Sequence, residues 1–310
     1  MILTVTLNTS IDKLYLFDSY TPYEVMRVKQ VNNTAGGKGL NVTRIATQLG
    51  EKVTAMGFVG GFVGQYFESL ITQPTIVKAF THTKAETRSC INAWDLQTNS
   101  STEYLEPGAP VTAEEVEQFF IDFARELPNA TVVTISGSVP TGVPADAYAR
   151  LIAMCHEANK PVLMDTSGAL LSACVVEKPT FIKPNTDEIA QLLGKKIENR
   201  EELIVCAKQL HANGIATVVI SLGAEGALMV CDEGVFVGRP PKINPKNTVG
   251  CGDSMVGGFA VGMTRGLRAP EQLRLAVAVS AANALSMSTG GYEEHDFETI
   301  LPKVIVETVE

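Results

Sequence analysis

The segment with the clearest chemical content is NTVGCGDSMVGGF at 247–259. Three small residues, Gly250, Cys251 and Gly252, precede Asp253, and an apolar helical pattern follows. Glycines permit a tight turn, and the free N–H groups of a helix start attract anions. A carboxylate there can accept a proton from an attacking hydroxyl. The segment predicts an anion hole beside a general base, as phosphoryl transfer requires. The alternative is an ordinary helix start in which the acid offsets the helix dipole.

A second glycine-rich segment, AGGKGLN at 35–41, also precedes an amphipathic helical pattern, which stops at Gly50. Helices commonly end at glycine, so the segment is interpreted as a second glycine-rich helix start. Two such helix starts, far apart in the sequence, predict one cleft that holds two anionic ligands.

Apolar, β-branched runs alternate with helical patterns along most of the chain and must position these segments. Strands are predicted at Ile2–Leu7, Val53–Val59, Thr131–Ser136, Val162–Asp165, Phe181–Lys183 and Thr217–Leu222, with a hairpin at Ala227–Cys231 and Val235–Val237. Helices are predicted at Gly64–Gln73, Ala113–Leu127, Ala145–Ala158, Thr186–Leu193, Arg200–Ala212 and Gln272–Met287. The alternation predicts a single α/β domain over 1–310 with a doubly wound, mainly parallel sheet and ligands at the carboxyl ends of its strands.

Two insertions, at about residues 12–33 and 86–107, interrupt the alternation. Short strands are predicted within them at Leu14–Asp18, Arg27–Val31, Arg88–Asp95 and Thr102–Glu106. These strands predict a small β-sheet lid over the cleft, which would exclude water during phosphoryl transfer. The alternative is that the two insertions are a structural extension of the domain and do not cover the cleft. The acidic tail after Gly291 is expected to end in a helix.

Composition and missing motifs exclude several classes of function. A net charge of −9 argues against nucleic-acid or anionic-membrane partners. No apolar run approaches the ~20 residues of a membrane span, and the start lacks a basic signal-peptide region, which favours a cytoplasmic protein. The six cysteines and four histidines are scattered, without disulfide or zinc spacing. Walker A, dinucleotide and nucleophile-elbow motifs are also absent.

Together, the motifs resemble those of the ribokinase-like sugar kinases, in the PfkB branch. The N-terminal signature is AGGKGLNVTR at 35–44, and the C-terminal signature is NTVGCGD at 247–253. KPNTDE at 183–188 resembles the family's N-x-x-E motif, and SLGAEG at 221–226 its nucleotide-side loop. Cys251 departs from the usual Ala or Ser but is still small. Within the family the resemblance is strongest to bacterial tagatose-6-phosphate kinases, followed by 1-phosphofructokinases.

The resemblance implies a ribokinase-like three-layer α/β/α fold and a role for each matched residue. Asp253 would be the base, beside an anion hole of Gly250, Cys251 and Gly252. The sugar-phosphate ligands would be Asp12, Gly36, Gly37, Lys38, Asn41, Arg88, Ser138 and Arg27. Alternatively, Asn41 is a surface residue of the helix and Ser138 only shapes a turn. Lys38, Arg88 and Arg27 could likewise be charges that face solvent without binding a ligand.

On the nucleotide side, the resemblance implies contacts from Lys183, Asn185, Ser221, Gly223, Gly226 and Asn283. Asn185 and Glu188 would hold Mg²⁺ through water, whereas the structural alternative is a helix-capping pair. The implied activity is ATP-dependent phosphorylation of a phosphorylated ketohexose, such as tagatose 6-phosphate, fructose 1-phosphate or fructose 6-phosphate. A monovalent cation and a homodimer formed through the lid are further expectations. The rival classes are a non-catalytic sugar-phosphate sensor and a nicotinamide oxidoreductase.

Overall fold

The computed structural model describes residues 1–309 and contains two β-sheets, one large and one small. The strands are β1 (Ile2–Asn8), β2 (Ser10–Phe17), β3 (Gln30–Gly36), β4 (Val53–Gly60), β5 (Ile76–Lys78), β6 (Thr81–Thr83), β7 (Arg88–Asp95), β8 (Ser100–Leu105), β9 (Val132–Ser136), β10 (Val162–Asp165), β11 (Phe181–Ile182), β12 (Thr217–Ser221), β13 (Ala227–Cys231), β14 (Gly234–Arg239) and β15 (Ile305–Thr308). The helices are α1 (Lys38–Gln48), α2 (Gly61–Ser69), α3 (Ala113–Glu126), α4 (Ala147–Glu157), α5 (Gly168–Val176), α6 (Thr186–Leu193), α7 (Arg200–Ala212), α8 (Cys251–Thr264), α9 (Ala269–Leu285) and α10 (Glu294–Ile300).

The large sheet has the order β15-β14-β13-β12-β11-β10-β9-β1-β4-β5, with β6 also paired to β4. All pairs from β12 to β5 are parallel. Every residue of β1 is buried because helices cover both faces of the sheet, as its unbroken apolar and threonine run indicates. The predicted α/β fold with a mainly parallel sheet is confirmed.

The edge formed by β13, β14 and β15 is antiparallel. The predicted hairpin at β13 and β14 is correct. The expectation for the tail was wrong, since a short helix, α10, is followed by β15, which pairs with β14. The β-branched run in Val304-Ile-Val-Glu-Thr308 suits a strand better than a helix.

The small sheet has the order β3-β2-β7-β8 and is separate from the large one. Its strands arise from the two predicted insertions, but β2 begins at Ser10 and β3 spans Gln30–Gly36, so the predicted bounds Leu14–Asp18 and Arg27–Val31 were shifted. Pairing explains the shift, because β2 lies between β3 and β7 and is fixed by both partners. We call this sheet the lid.

The helices agree with the predicted pattern, apart from small differences at their ends and one omission. Helix α5 was not predicted, because its apolar residues fall on several faces and show no helical period. Over residues 1–309, no helix combines the length and the apolar character that crossing a membrane requires.

Candidate active site

A cleft of about 530 Å³ lies between the lid and the carboxyl ends of the parallel strands. Its lining includes the following predicted site residues: Asp12, Gly37, Lys38, Asn41, Arg88, Ser138, Gly250, Gly252 and Asp253. The two glycine-rich segments therefore meet in one cleft. This is where ligands bind in open α/β sheets.

The N-terminus of α8 forms one wall of the cleft. Gly250 precedes the helix with φ of 80°, and a Cβ atom there would lie 2.8 Å from the Thr289 side chain. The amide of Cys251 already donates to the Thr248 carbonyl at 3.3 Å. The next two amides, those of Gly252 and Asp253, belong to the first helical turn, where N–H groups lack acceptors within the helix. These two amides are the better candidates for the anion hole.

The Asp253 carboxylate is held by a chain of polar side chains. Asn41 donates from Nδ2 to Asp253 Oδ2 at 2.7 Å. Arg44 in turn donates to Asn41 Oδ1, which fixes the orientation of the amide. Arg44 also donates to the carbonyls of Ala35 and Thr289. Asn41 was predicted to contact sugar hydroxyls, and one of its two amide N–H groups instead donates to the candidate base and positions it. Arg44 was not predicted as a site residue.

The protonation of Asp253 suits a general base. The residue is only 6% exposed, and burial raises the pKa of its carboxyl to about 6. The negative charge of Asp165 also raises this pKa, whereas Lys38, Lys183 and the Asn41 hydrogen bond lower it. A base whose pKa lies just below neutral is mostly ionised at pH 7 and still basic enough to take a proton.

Asp165 is the main site residue that the sequence did not reveal. It ends β10, is 3% exposed, and lies between two ammonium groups, with Oδ1 3.2 Å from Lys183 Nζ and Oδ2 3.7 Å from Lys38 Nζ. Burial alone would raise its pKa, but the two lysines outweigh burial and hold the pKa below its usual value. Its position at the carboxyl end of a parallel strand was the available signal.

On the sugar side, Asp12 lies next to the first glycine-rich segment. Its carboxylate accepts from Ser10 Oγ at 2.6 Å and from the Gly37 amide at 3.4 Å. A Cβ atom on Gly36 would lie 2.0 Å from Asp12 Cγ, so this position requires glycine. Burial raises the pKa of Asp12. The carboxylate thus lines the cleft in a position to accept hydrogen bonds from hydroxyl groups.

Arg88 joins the lid to the large sheet at the edge of the cleft. Its guanidinium donates to the Glu106 carbonyl at 2.6 Å and to the Asn8 carbonyl at 3.0 Å. Asn8 also donates from Nδ2 to Ser138 Oγ at 3.1 Å, which fixes that hydroxyl beside the cleft. Arg27, by contrast, is exposed in the connection between β2 and β3 and does not line this cleft.

The predicted nucleotide residues lie outside the cleft lining, and all except Asn283, which is in α9, lie at or just after the carboxyl ends of β11 and β12. Lys183 is buried and reaches the second glycine-rich segment, since a Cβ atom on Gly252 would lie 3.2 Å from Lys183 Nζ. Ser221 ends β12, and the turn after it contains Gly223 and Gly226 with φ of 60° and 92°. The Lys183 side chain therefore extends from the predicted nucleotide side of the site to the anion hole at the start of α8.

Asn283 was predicted to line the nucleotide pocket, but its side chain is fully buried. Its amide donates to the Val249 carbonyl at 3.0 Å and accepts from the Gly290 and Gly291 amides. These bonds tie the segment before α8 to the chain after α9. The side chain therefore supports the anion-hole segment, and a contact of Asn283 with the nucleotide stays a prediction.

Asn185 and Glu188 form the capping pair that was the structural alternative. Asn185 Oδ1 accepts from the Asp187 and Glu188 amides, and Glu188 Oε2 accepts from the Asn185 amide at 2.9 Å. No cluster of three potential metal-ligating His, Cys, Asp or Glu side chains occurs within residues 1–309. One carboxylate oxygen of Glu188 stays outside these bonds. This donor set fits a magnesium ion that is held mainly by water and phosphate.

Comparisons with known proteins show what the whole chain is similar to. Residues 5–295 match the pfkB family carbohydrate kinases. The chain is 38% identical to a tagatose-6-phosphate kinase of Staphylococcus epidermidis over 99% of both chains. The phosphofructokinase-2 of Escherichia coli in complex with potassium has 27% identity and a TM-score of 0.90, covering 97% of this chain and 98% of that one. Its tetrameric inhibited form has 27% identity and a TM-score of 0.88 over the same shares.

Proposed function

Because this chain belongs to the pfkB family of carbohydrate kinases, we propose that it transfers the γ-phosphoryl group of ATP to a ketohexose phosphate, with tagatose 6-phosphate as the first candidate. The observation that carries the proposal is the buried Asp253 beside the first-turn amides of α8, in a cleft that also contains Lys38 and Arg88. The full-length similarity to a tagatose-6-phosphate kinase favours that acceptor. Fructose 6-phosphate and fructose 1-phosphate are the alternatives.

In the proposed reaction, Asp253 accepts the proton of the attacking sugar hydroxyl while Asn41 keeps the carboxylate in place. The amides of Gly252 and Asp253 and the ammonium groups of Lys38 and Lys183 stabilise negative charge on the transferring phosphoryl group. Transfer is direct, since Asp253 lies beside the anion hole in a position to act as the base for the sugar hydroxyl.

The acceptor's own phosphate is assigned to Arg88 at the lid edge, with the Ser138 hydroxyl nearby. Lys38 is assigned to the transferring phosphoryl group instead, because its ammonium group lies 3.7 Å from the buried Asp165. Guanidinium groups suit bidentate contacts with phosphate, and ammonium groups act as point charges. Asp12 is assigned to the sugar hydroxyls. Glu188, with Asn185, is assigned to Mg²⁺ through water, and bound Mg²⁺ neutralises phosphate charge. A monovalent cation remains a further candidate, since a structure of the related phosphofructokinase-2 contains potassium.

A coupled ADP-release assay over ketohexose monophosphates and the matching free sugars tests this function. We expect the highest kcat/KM with tagatose 6-phosphate and little turnover of free tagatose. A preference for any free sugar would contradict the assignment of a phosphate-binding subsite. ADP release at the same rate without an acceptor would contradict transfer to a sugar.

We also propose that two subunits associate through their lids. Several apolar or aromatic side chains in and around this sheet are exposed: Val31, Tyr104, Leu105, Tyr23 and Val25. Small isolated sheets are marginal in water and are stabilised by a partner, and a two-fold dimer is the simplest arrangement. Light scattering at micromolar protein should give twice the monomer mass. A monomer would contradict the proposal, and a tetramer would mean that a second interface exists.

A further inference from the structure

We propose that Asp165 is a positioning residue that holds the ammonium groups of Lys38 and Lys183 beside the transferring phosphoryl group. This inference rests on the proposed kinase function and goes beyond it. Nothing in the sequence motifs assigns a role to Asp165, which ends β10 in the run Val-Leu-Met-Asp.

The carboxylate of Asp165 lies close to two ammonium groups, those of Lys183 and Lys38. Asp165 Oδ1 is 3.2 Å from Lys183 Nζ, and Oδ2 is 3.7 Å from Lys38 Nζ. Lys38 begins α1 in the first glycine-rich segment, and Lys183 follows β11 on the nucleotide side. Asp165 therefore bridges the two halves of the site. Within residues 1–309, its Oδ2 atom is buried without a hydrogen-bond partner, and the Lys38 ammonium group lies 3.7 Å from it.

The position of Lys183 is important because it lies directly against the anion hole. A Cβ atom on Gly252 would be 3.2 Å from Lys183 Nζ, whereas the glycine leaves that space to the ammonium group. Lys183 is almost fully buried, and buried charges in proteins are paired because an unpaired charge in the interior is costly. Asp165 is the carboxylate that supplies this partner.

The same carboxylate acts on the base. The charged groups that influence Asp253 are Lys38 from α1, Lys183 after β11, Asp165 from β10 and Arg44 from α1. Among these, Asp165 is the group of like charge, and it opposes the three cations. Without it, the cations would make Asp253 a weaker base. Asp165 is ionised because Lys183 and Lys38 hold its pKa down.

The test is the Asp165→Asn substitution, read out by kcat, the pH profile and lysine labelling. We expect kcat to fall about 10²-fold, since preorganised charges at such sites contribute on this order. We also expect the acidic limb of kcat/KM to move from about pH 6 to lower pH, by about one pH unit, because the loss of a neighbouring like charge lowers the pKa of a carboxyl group. A structural role alone would leave this limb in place.

Lysine labelling gives a readout that does not depend on turnover. Asp165 raises the pKa of Lys38, so the variant should have more neutral amine at that position. A pKa lower by one increases the neutral fraction about tenfold at a given alkaline pH. Acetic anhydride labelling followed by peptide mapping should therefore show faster acetylation of Lys38. The exposed Lys52 is the internal reference, whose rate should not change.

Asp122→Asn is the matched control, because it removes another buried carboxylate that does not line the cleft. Asp122 lies on α3 and accepts hydrogen bonds from Thr81 and Gln118. This variant should keep the wild-type kcat, acidic limb and Lys38 labelling. If Asp165→Asn does not fold, Asp165→Glu replaces it as the test variant. Glutamate keeps the negative charge, but its longer side chain moves the carboxylate away from its present position. We expect Asp165→Glu to have a lower kcat with an acidic limb still near pH 6.

Three results would overturn the inference. One is an unchanged acidic limb together with unchanged Lys38 labelling in Asp165→Asn. Another is recovery of kcat at raised Mg²⁺, which would mean that the carboxylate acts on the metal ion instead. A third, for Asp165→Glu, is a wild-type kcat. If the wild-type protein phosphorylates no sugar phosphate, the proposed function fails, whereas the labelling experiment still decides whether Asp165 holds Lys38.

Discussion

Replacing Asp253 by asparagine tests the candidate base most directly. The amide keeps the size of the side chain, and its oxygen can still accept the hydrogen bond from Asn41, but it cannot take a proton. General-base catalysis contributes typically ~10²–10⁴-fold. We therefore expect kcat to fall by at least ~10²-fold, with little change in ATP affinity.

The same substitution should stabilise the protein at neutral pH. The pKa of Asp253 is about 6 in the folded chain, against a model-compound value of 3.8. Because the folded pKa is raised, the contribution to stability is fully present below pH 3.8 and is lost as the pH rises through about 6. The shift corresponds to about 3 kcal/mol, an upper limit since Lys38 and Lys183 also lose a neighbouring charge.

The assay is urea unfolding of both proteins at pH 8 and pH 5, together with kcat for the sugar phosphate. The variant should be more stable at pH 8, and its advantage should shrink at pH 5, where the wild-type carboxyl is mostly protonated. The wild-type kcat/KM should also fall below about pH 6. A variant that retains the wild-type kcat, or a stability difference that does not depend on pH, would refute the assignment of Asp253 as a buried base.

The remaining predictions concern neighbouring positions. Arg88→Ala should lower kcat/KM for the sugar phosphate by about 10- to 150-fold, measured against the matching free sugar, because charge-assisted hydrogen bonds contribute roughly 1.5–3 kcal/mol each. Gly252→Ala should lower kcat at least about tenfold, because the added methyl group would push the Lys183 ammonium group away from the anion hole. An unchanged melting temperature of this variant would show that the loss of kcat is not due to unfolding. Asn283→Ala should lower the free energy of unfolding by about 2–4 kcal/mol in urea titrations, because several buried hydrogen bonds lose their partner.

The features that sequence predicted well are those with a local cause. The buried strands are continuous apolar runs, and the helix starts at α1 and α8 contain glycines because the backbone must turn tightly there, as Gly250 does with positive φ. The first and last residues of β3, by contrast, are not determined by its local sequence. Its sequence is mostly polar, and it forms a strand because β2 pairs with it along its length. Pairing between distant segments leaves no periodic signal within one of them.

The same limit explains which site residues were missed. Asp165 follows three apolar residues, and its importance appears only when the fold brings Lys38 and Lys183 to its two oxygens. Asn283 is a similar case, because the sequence did not indicate that its amide donates to the Val249 carbonyl and accepts from the Gly290 amide. A single sequence shows residue types but not the partners that satisfy them.

Arg88 shows why the choice of control matters for the phosphate assignment. Its guanidinium already donates to the Asn8 carbonyl at the end of β1 and to the Glu106 carbonyl beyond β8, so it holds the lid to the large sheet as well as facing the cleft. Removing it therefore weakens two things, the attraction for a phosphate and the attachment of the lid. A loosened lid would impair every acceptor, whereas a lost phosphate contact would impair only the phosphorylated one. Unequal losses would thus assign Arg88 to the phosphate, and equal losses would assign it to the lid.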